Sequence, residues 1–279
     1  MEDQYLISII IPTINRKEQF NALLASIKKS EYQNYEIIVV DQNGSNLLDN
    51  IITGCKEDFS IQHYKVNFKG AAKARNYGAL FAQGELLCFP DDDAEIFPNT
   101  LSIACNSFNQ IDCSVLFGKC IDKSGKDSVL KFNTKAAYLT LQNHDNMFVE
   151  STMFVKSDIF KKYEFDETFG IGTFYGAEEG YDLILRMLTA NISIYYNPIL
   201  KIYHPQKKGN YSETLAIQRV FSYRCGLAHL CMKHKLYKKL LSRSFKIIAY
   251  LSYLILFDRA KVRYYLSELL GILAGVIVR

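Results

Sequence analysis

The sequence predicts an α/β fold with a mostly parallel central sheet, followed by a C-terminal helical appendage. Two continuous β-branched runs, Tyr5 to Ile11 and Tyr35 to Val40, are typical of strands buried on both faces. Between them, apolar residues recur at helical spacing from Arg16 to Ser30, which makes one strand–helix–strand unit with parallel strands. Towards the end of the chain, long helical patterns replace the strands. We therefore expect a domain over residues 1–205 and a basic, amphipathic helical region over residues 206–279.

The other elements of the first domain follow from the same two periodicities. Strands are predicted where short apolar runs are bounded by turn residues, at Ile61–Val66, Glu85–Phe89, Ser114–Ile121, Phe148–Val155, Ser193–Tyr196 and Ile199–Tyr203. Helices are predicted where apolar residues recur every three or four positions, at Ala71–Ala82, Phe97–Phe108, Lys156–Tyr163 and Glu178–Ala190. The stretch Ser128–Asp145 fits neither period, and we interpret it as loops. The glycine-rich stretch Phe169–Gly176 is expected to be mobile.

Composition and charge place the chain among globular proteins and distinguish its two parts. The 279 residues are 49% hydrophobic and 22% charged, which excludes a disordered or fibrous protein. The net charge of +4 combines −7 over the first 205 residues with +11 over the rest, where 14 Lys and Arg residues accompany 3 acidic ones. An acidic first part fits a metal ion and a basic tail fits an anionic surface, and we expect no nucleic-acid partner.

Cysteine usage indicates a reducing compartment. The seven cysteines are odd in number, include no CxxC pair and lie mostly in apolar stretches, which favours buried thiols over disulfides. The first 30 residues show no basic segment followed by an apolar one, so no secretory signal is apparent. We therefore expect a cytoplasmic location.

The C-terminal region combines basic and apolar helical stretches. Six basic residues lie between Lys233 and Lys246, and an apolar run of eleven residues follows from Ile247 to Phe257. That run is shorter than the ~20 residues of a membrane-spanning helix, whereas basic residues beside apolar helix faces are typical of a helix in a membrane interface. Two interpretations stay open. One is peripheral binding to the anionic inner face of the cell membrane, and the other is packing on the main domain or in a homo-oligomer.

Three adjacent carboxylates, Asp91, Asp92 and Asp93, follow a predicted buried strand directly. They therefore lie at the carboxyl end of that strand, where open α/β sheets bind their ligands. In an extended segment, side chains two positions apart share a face, so Asp91 and Asp93 can converge on one hard cation while Asp92 points away. The alternative is a solvated acidic turn. The triplet predicts a site for Mg²⁺ or Mn²⁺.

Other polar residues belong to the same edge of the predicted sheet. Asp41 ends the second strand and can accept a hydrogen bond from a nucleobase or a ribose, although Asp also caps helices and forms turns. Lys73 and Arg75 begin the alanine-rich helix and could neutralise a diphosphate, although such residues are usually solvated. His204 ends the last predicted strand and is a candidate metal ligand.

A second acidic cluster begins the helix predicted after the glycine-rich stretch. Glu178 and Asp182 are four residues apart, and Glu179 and Asp182 are three apart, so either pair can share a helix face. A carboxylate held in such a cluster can act as a general base. The alternative is a helix start enriched in acidic residues because of the helix dipole.

Taken together, these motifs resemble family 2 glycosyltransferases of the bacterial polysaccharide- and glycan-assembly type. The resemblance covers residues 5–205 and is carried by SIIIPTINR (Ser8–Arg16), VVDQNGS (Val39–Ser45), KGAAKARNYGALFAQGELLCFPDDDA (Lys69–Ala94), GAEEGYDLILR (Gly176–Arg186) and IYHP (Ile202–Pro205). It implies the Rossmann-like glycosyltransferase A fold and an inverting transfer of sugar from a nucleotide-diphosphate sugar, expected to be a UDP-sugar, to a glycan or lipid-linked acceptor.

The resemblance also assigns roles to the residues that match its motifs. The expected donor-binding residues are Pro12, Thr13, Asp41, Lys73, Arg75, Asp91 and Asp92, of which Asp92 is expected to contribute least. The expected metal ligands are the DxD pair and a histidine: Asp91, Asp93 and His204. The expected catalytic residues are those of the second acidic cluster: Glu179, Glu178 and Asp182.

One departure from the family pattern affects the catalytic base. Family members often carry the base at the second position of a Glu-Asp/Glu-x-Asp-Leu motif, and alignment on Asp182-Leu183 puts Gly180 at that position. Either Glu179 takes the role, which we favour, or Glu178 does. The departure leaves open a non-catalytic sugar-nucleotide-binding subunit. A nucleotidyltransferase is the other alternative, although the first strand is not followed by the glycine-rich phosphate loop that such enzymes usually carry.

Overall fold

The computed structural model describes residues 5–206 and 213–278, which form two compact units. The first unit comprises Met1–Phe68, Ala74–Glu164 and Ile184–Lys207, and the second comprises Lys69–Lys73, Phe165–Leu183 and Lys208–Arg279. The predicted functional division into residues 1–205 and 206–279 stays a prediction. The second unit holds the C-terminal region together with two shorter segments from earlier in the chain.

A mixed β-sheet forms the centre of the first unit. Its strands are β1 (Ile7–Thr13), β2 (Tyr35–Asp41), β3 (Ile61–Lys65), β4 (Leu86–Cys88), β5 (Glu95–Ile96), β6 (Val115–Ile121), β7 (Ala137–Tyr138), β8 (Phe154–Lys156) and β9 (Ile194–Tyr203). Their order is β3-β2-β1-β4-β8-β6-β9-β5, and β7 also pairs with β9. The longer ladders, between β1, β2 and β3 and between β6 and β9, are parallel. The predicted α/β class with a mostly parallel sheet is confirmed.

Helices accompany the strands in the alternating order that parallel pairing requires. They are α1 (Lys17–Ile27), α2 (Asp49–Cys55), α3 (Ala71–Ala79), α4 (Thr100–Gln110), α5 (Ser157–Tyr163) and α6 (Glu179–Thr189). Every residue of β1 is buried, and Phe20, Leu23 and Ile27 of α1 belong to the same core. Helix α3 approaches the sheet closely at Gly78, where a Cβ atom would lie 2.5 Å from the side chain of Ile10. This contact fixes the position of α3, which carries Arg75.

The structure differs from the sequence prediction mainly at weakly patterned segments. The two strands predicted around Asn197 form one continuous strand, β9, which carries Pro198 in its interior. The strand predicted at Phe148–Val155 is instead a short 3₁₀ helix, Glu150–Thr152, followed by β8. Helix α2 and the two-residue strands β5 and β7 were not predicted, because segments this short contain too few apolar residues to establish a period.

Within residues 213–278, the second unit forms three α-helices, α7 (Thr214–Lys233), α8 (Tyr237–Phe257) and α9 (Val262–Ile277). Glycine residues allow α9 to approach α7 closely. A Cβ atom on Gly271 would lie 2.4 Å from the carbonyl oxygen of Phe221, and one on Gly275 would lie 2.4 Å from that of Cys225. The i, i+4 spacing of the two glycines therefore presents a smooth face to α7.

A buried ion cluster connects the three helices of this unit. Glu268 of α9 is only 2% exposed, and its Oε1 atom accepts hydrogen bonds from Arg224 of α7, at 2.7 Å from Nε, and from Arg243 of α8, at 3.1 Å. A carboxylate buried in an apolar bundle requires such partners because desolvation of an unpaired charge is costly. The cluster therefore fixes the register of the three helices.

Candidate functional site

The carboxyl ends of β1 and β2 bring Pro12, Thr13 and Asp41 together. Strand pairing places Thr13 directly beside Asp41, and Pro12 lies beside Val40. All three predicted residues are buried, so their side chains are fixed by the sheet edge. Because β4 also runs parallel to β1, the aspartate triplet that follows β4 belongs to the same edge.

Asp41 is a fully buried carboxylate whose hydrogen bonds keep it ionised. Its Oδ1 atom accepts hydrogen bonds from the backbone and side-chain nitrogens of Asn43, at 2.8 and 2.6 Å, and its Oδ2 atom lies 3.0 Å from Nε2 of His63. Burial alone would raise the pKa of Asp41, but the hydrogen bonds from His63 and Asn43 outweigh it and lower that pKa. The carboxylate therefore acts as a hydrogen-bond acceptor, with one remaining acceptor position on Oδ2.

The aspartate triplet is held in a tight turn, whereas the sequence predicted an extended segment. The N–H of Ala94 donates to the carbonyl of Asp91 at 2.9 Å, which closes the turn. Asp91 and Asp93 nevertheless converge. Oδ2 of Asp91 and Oδ1 of Asp93 face Nε2 of His204, at 3.6 and 3.4 Å.

These three residues form a donor set suited to a divalent cation. The ligand atoms of Asp91, Asp93 and His204 lie within 4.8 Å of one another, and two carboxylate oxygens with an imidazole nitrogen suit Mg²⁺ or Mn²⁺. Burial alone would lower the pKa of His204, but its pairing with Asp91 and Asp93 outweighs this effect and raises it to about 9. Without a metal, His204 therefore carries a proton at neutral pH, and a metal that takes it as a ligand must displace that proton.

Two arginines neutralise the triplet from its other side. Nη2 of the buried Arg75 donates to Oδ1 of Asp91 at 2.8 Å. Nη1 of Arg16 lies 3.1 Å from Oδ1 of Asp92 and also pairs with Oδ2 of Asp93. Each guanidinium thus pairs with one oxygen of a candidate metal-binding carboxylate and leaves the other oxygen facing His204.

Asp92 has a different environment from its neighbours. Its Oδ2 atom accepts a hydrogen bond from the backbone N–H of Ile14 at 3.3 Å, and its Oδ1 atom pairs with Arg16. Burial raises the pKa of Asp92 to about 6, against the opposing charge of Arg16. Asp92 therefore connects the loop after β1 to the turn after β4. By contrast, the side chain of Lys73, in the first turn of α3, is exposed.

The second acidic cluster belongs to the second unit and begins α6. Helix α6 starts at Glu179, and Glu178 precedes it with a φ of +80°, a conformation that non-glycine residues rarely adopt. A Cβ atom on Gly170 would lie 3.1 Å from the carboxyl carbon of Glu179. Burial raises the pKa of Glu178. The glycine-rich segment thus packs its backbone against the Glu179 carboxylate.

Asp182, the third member of that cluster, is tied to α7. Its side chain is 0% exposed, and its Oδ1 atom lies 2.7 Å from both Nζ of Lys233 and Nε2 of His234. A fully buried carboxylate that contacts two basic groups stabilises the fold through these contacts, because it would be costly to leave unpaired. Among the three acidic candidates, Asp182 is therefore the one least suited to exchange a proton with a substrate.

The structure adds residues that sequence reasoning missed. Arg16, His63, Lys233 and His234 contact predicted site residues, yet each is a single polar side chain whose partner is distant in sequence. His63 lies opposite Val39 in the parallel ladder, two positions from the pairing of Asp41 with Lys65. The alternation of side chains along β3 predicts the face of the sheet on which His63 lies. Its contact with Asp41 follows only from the register between β2 and β3.

The sequence matches a family model over most of the first unit. Residues 8–177 match the model described as Glycosyl transferase family 2. A Campylobacter jejuni protein named GalNAc(5)-diNAcBac-PP-undecaprenol beta-1,3-glucosyltransferase is 32% identical over 126 residues, which are 43% of this chain and 40% of that protein. An Escherichia coli UDP-Glc:alpha-D-GlcNAc-diphosphoundecaprenol beta-1,3-glucosyltransferase, WfgD, is 32% identical over 120 residues, 42% of this chain and 46% of that protein. The matched part therefore spans less than half the length of these relatives.

Solved structures share the fold over nearly the whole chain. Staphylococcus aureus TarS 1–349 in complex with UDP-GlcNAc has a TM-score of 0.61 at 19% identity, covering 94% of this chain and 90% of that one. The mannosyltransferase PcManGT from Pyrobaculum calidifontis, in complex with GDP-Man and Mn²⁺, has a TM-score of 0.64 at 14% identity, covering 97% and 88%. At these identities the likeness establishes the fold alone.

Proposed function

The chain belongs to glycosyl transferase family 2, and from this membership we propose that it is an inverting, metal-dependent glycosyltransferase. It would move a sugar from a nucleotide-diphosphate sugar to an acceptor hydroxyl in cell-surface polysaccharide or glycan assembly. The observation that carries the proposal is the convergence of Asp91, Asp93 and His204 at the carboxyl edge of the sheet. The names of the curated relatives support the acceptor class, since both describe transfer to a diphosphoundecaprenol-linked glycan.

The donor side is proposed to recognise a UDP-sugar. Asp41 is an ionised acceptor with one remaining position on Oδ2, which fits a nucleobase that presents a ring N–H, as uracil does. Thr13 and Pro12 line the same edge, and Arg75 and Lys73 are the proposed cationic neighbours of the diphosphate. UDP-GlcNAc in the TarS structure supports this choice, whereas GDP-Man in the mannosyltransferase structure shows that the fold also accepts guanine.

Asp91, Asp93 and His204 would hold Mg²⁺ or Mn²⁺. When bound there, the cation supplies charge neutralisation for the leaving nucleoside diphosphate. The residues of this chain contribute the rest of the electrostatics. Arg75 and Arg16 balance the three carboxylates, and the buried turn keeps them at fixed positions before the donor arrives.

Glu179 is the proposed general base, with Glu178 as the alternative. The base would take the proton of the acceptor hydroxyl as its oxygen attacks the anomeric carbon from the face opposite the leaving group, which inverts that carbon. Glu179 begins α6 and packs against Gly170, so the carboxylate has a defined position.

Thermal unfolding in the presence of nucleotides tests the donor proposal. With 1 mM Mn²⁺, UDP or a UDP-sugar at about 100 times its Kd should add about 2.7 kcal/mol and raise Tm by roughly 5–10 °C. Omission of Mn²⁺ should reduce the shift, and CDP, whose ring nitrogen is an acceptor, should shift Tm least. If none of UDP, GDP and their sugar conjugates changes Tm, the chain does not bind the proposed donors.

We further propose that the enzyme lies at the cytoplasmic face of the cell membrane, bound through α8. Within residues 5–206 and 213–278, α8 is the one helix whose length and composition would permit it to cross a membrane. One face packs into the bundle through Leu240, Ile247, Leu251 and Leu254. Beside these buried residues, α8 exposes an apolar stripe, which we call the α8 stripe: Leu241, Phe245, Ile248, Ile255 and Leu256.

The arrangement of α8 favours lying in the membrane interface over crossing it. The apolar run that ends α8, residues 247–257, is about 16 Å long, about half the thickness of a hydrocarbon core. Lys238 and Lys246 are exposed beside the α8 stripe, and lysines next to an apolar face bind anionic headgroups.

Vesicle sedimentation of the full chain tests the α8 stripe. The double variant Phe245→Ser, Ile248→Ser should lower partitioning onto phosphatidylglycerol vesicles about tenfold or more, because two exposed apolar side chains no longer insert. Leu80→Ser, an exposed leucine of the first unit, is the matched control and should leave partitioning unchanged. Equal partitioning of all variants would contradict the proposal. A dimer that the double variant converts to a monomer would instead assign the stripe to a second copy.

A further inference from the structure

Arg16, the last residue of the SIIIPTINR motif, contacts two members of the aspartate triplet. It precedes α1, and its guanidinium lies between two of the three adjacent carboxylates. Nη1 is 3.1 Å from Oδ1 of Asp92 and pairs with Oδ2 of Asp93. The side chain is about one-third exposed, whereas both aspartates are largely buried, so Arg16 covers them from the solvent side.

The backbone around Arg16 is fixed at several points, so this contact does not depend on a mobile side chain alone. The N–H of Ile14 donates to Oδ2 of Asp92, and the N–H of Asn15 donates to Oδ1 of Asn43 at 2.7 Å. Asn15 has a φ of +57°, a conformation that asparagine tolerates. Asp92 therefore binds both the backbone of the loop after β1 and the guanidinium of Arg16. Its contact with Arg16 would hold that side chain beside the site even if the contact with Asp93 were broken.

The ion pair between Arg16 and Asp93 affects the charge of the proposed metal site. Three ionised carboxylates at adjacent positions repel one another, and the cationic groups that face them are Arg75, Arg16 and His204. A divalent cation at Asp91, Asp93 and His204 would deliver its charge to the same carboxylates. A guanidinium and a metal ion that share Asp93 repel each other, and each weakens the other's binding.

We propose that Arg16 is the counter-ion of Asp93 when no metal is bound, and that it competes with the metal for that carboxylate. The inference rests on the proposed function, because it takes Asp91, Asp93 and His204 as the metal site. Metal entry would release Arg16 from Asp93 while Asp92 retains it beside the site. The freed guanidinium fork is then suited to the diphosphate of the donor. Arg16 would thereby make metal binding weak in the free enzyme and stronger once a nucleoside diphosphate is present.

Titration of the full chain with Mn²⁺ in the absence of nucleotide, followed by the electron paramagnetic resonance signal of free Mn²⁺, tests this inference. Arg16→Gln should bind Mn²⁺ about tenfold more tightly than the wild-type protein, because the competing charge is gone. Arg16→Lys keeps the charge and should stay within about threefold of wild type. Lys17→Gln removes the same charge from an exposed neighbouring position and is the matched control. Addition of UDP should tighten Mn²⁺ binding in the wild type more than in Arg16→Gln.

The outcomes separate this inference from the proposed function. Equal or weaker Mn²⁺ binding by Arg16→Gln, in a protein whose Tm matches wild type, would overturn the competition while leaving the metal site intact. Mn²⁺ binding by Arg16→Gln but not by the wild-type protein would support the competition between Arg16 and the metal most strongly. Absence of Mn²⁺ binding in every variant would overturn the proposed metal site and this inference together.

Discussion

Replacement of Asp91 or Asp93 by asparagine should lower kcat/KM for sugar transfer by about 10³-fold or more. Each variant loses a charged oxygen from the proposed metal set, and charge neutralisation at a leaving diphosphate is worth several kcal/mol. Asparagine keeps the shape of aspartate, so the turn closed by Ala94 should persist. The measurement is steady-state transfer from the UDP-sugar that gives the largest Tm shift, together with Mn²⁺ affinity.

The matched control for these variants is Asp158→Asn, an exposed aspartate in α5, which should leave transfer within about twofold of wild type. The Mn²⁺ affinity of Asp91→Asn and Asp93→Asn should fall in parallel with activity. Full activity in both variants would refute the site, and lost activity with unchanged Mn²⁺ affinity would remove the metal role from these residues.

The three acidic residues at the start of α6 should give three different results. Glu179→Gln should lower kcat by about 10²–10⁴-fold with little change in donor KM, because a general base acts on the acceptor proton. Glu178→Gln should reduce kcat less. Asp182→Asn should instead destabilise the protein by about 3 kcal/mol, because a buried partner of Lys233 and His234 loses its charge.

Transfer kinetics and urea denaturation of the three variants separate these roles. A larger loss of kcat in Glu178→Gln than in Glu179→Gln would move the base to Glu178, in spite of its left-handed backbone. If both glutamine variants keep wild-type kcat, the start of α6 does not supply the base, and a non-catalytic sugar-nucleotide-binding role becomes the better interpretation. An Asp182→Asn protein as stable as wild type would contradict the structural role given to that residue.

The sequence predicts this fold well where apolar periodicity and strand ends coincide. Strands β1 and β2 are nearly continuous apolar runs, in which the buried polar residues Ser8 and Glu36 bond to each other. The aspartates after β4 also follow an apolar run directly. The backbone conformation of Asp91–Asp93 could not be predicted, because the turn is closed by one backbone hydrogen bond and has no characteristic pattern of apolar residues. Asp91 and Asp93 approach each other through this turn, whereas the sequence favours an extended segment with both side chains on one face.

The remaining contacts in the site join residues that are far apart in the sequence, and no local sequence pattern predicts them. Arg16 and Asp93 are far apart in sequence, as are Asp41 and His63, and both pairs meet only because parallel strands bring loop ends to one edge. The predicted bystander, Asp92, bonds to the loop after β1 for the same reason. Long-range ion pairs of single residues are therefore the part of this site that required the structure.

The pairing of Asp182 with Lys233 and His234 makes the C-terminal region a structural component of α6 and not a removable attachment. A chain cut after residue 206 would leave the Asp182 carboxylate without either basic partner. The start of the same helix, which carries Glu178 and Glu179, would then lose its support. A shortened protein that has lost its activity would therefore indicate a disrupted α6, and not the absence of membrane binding.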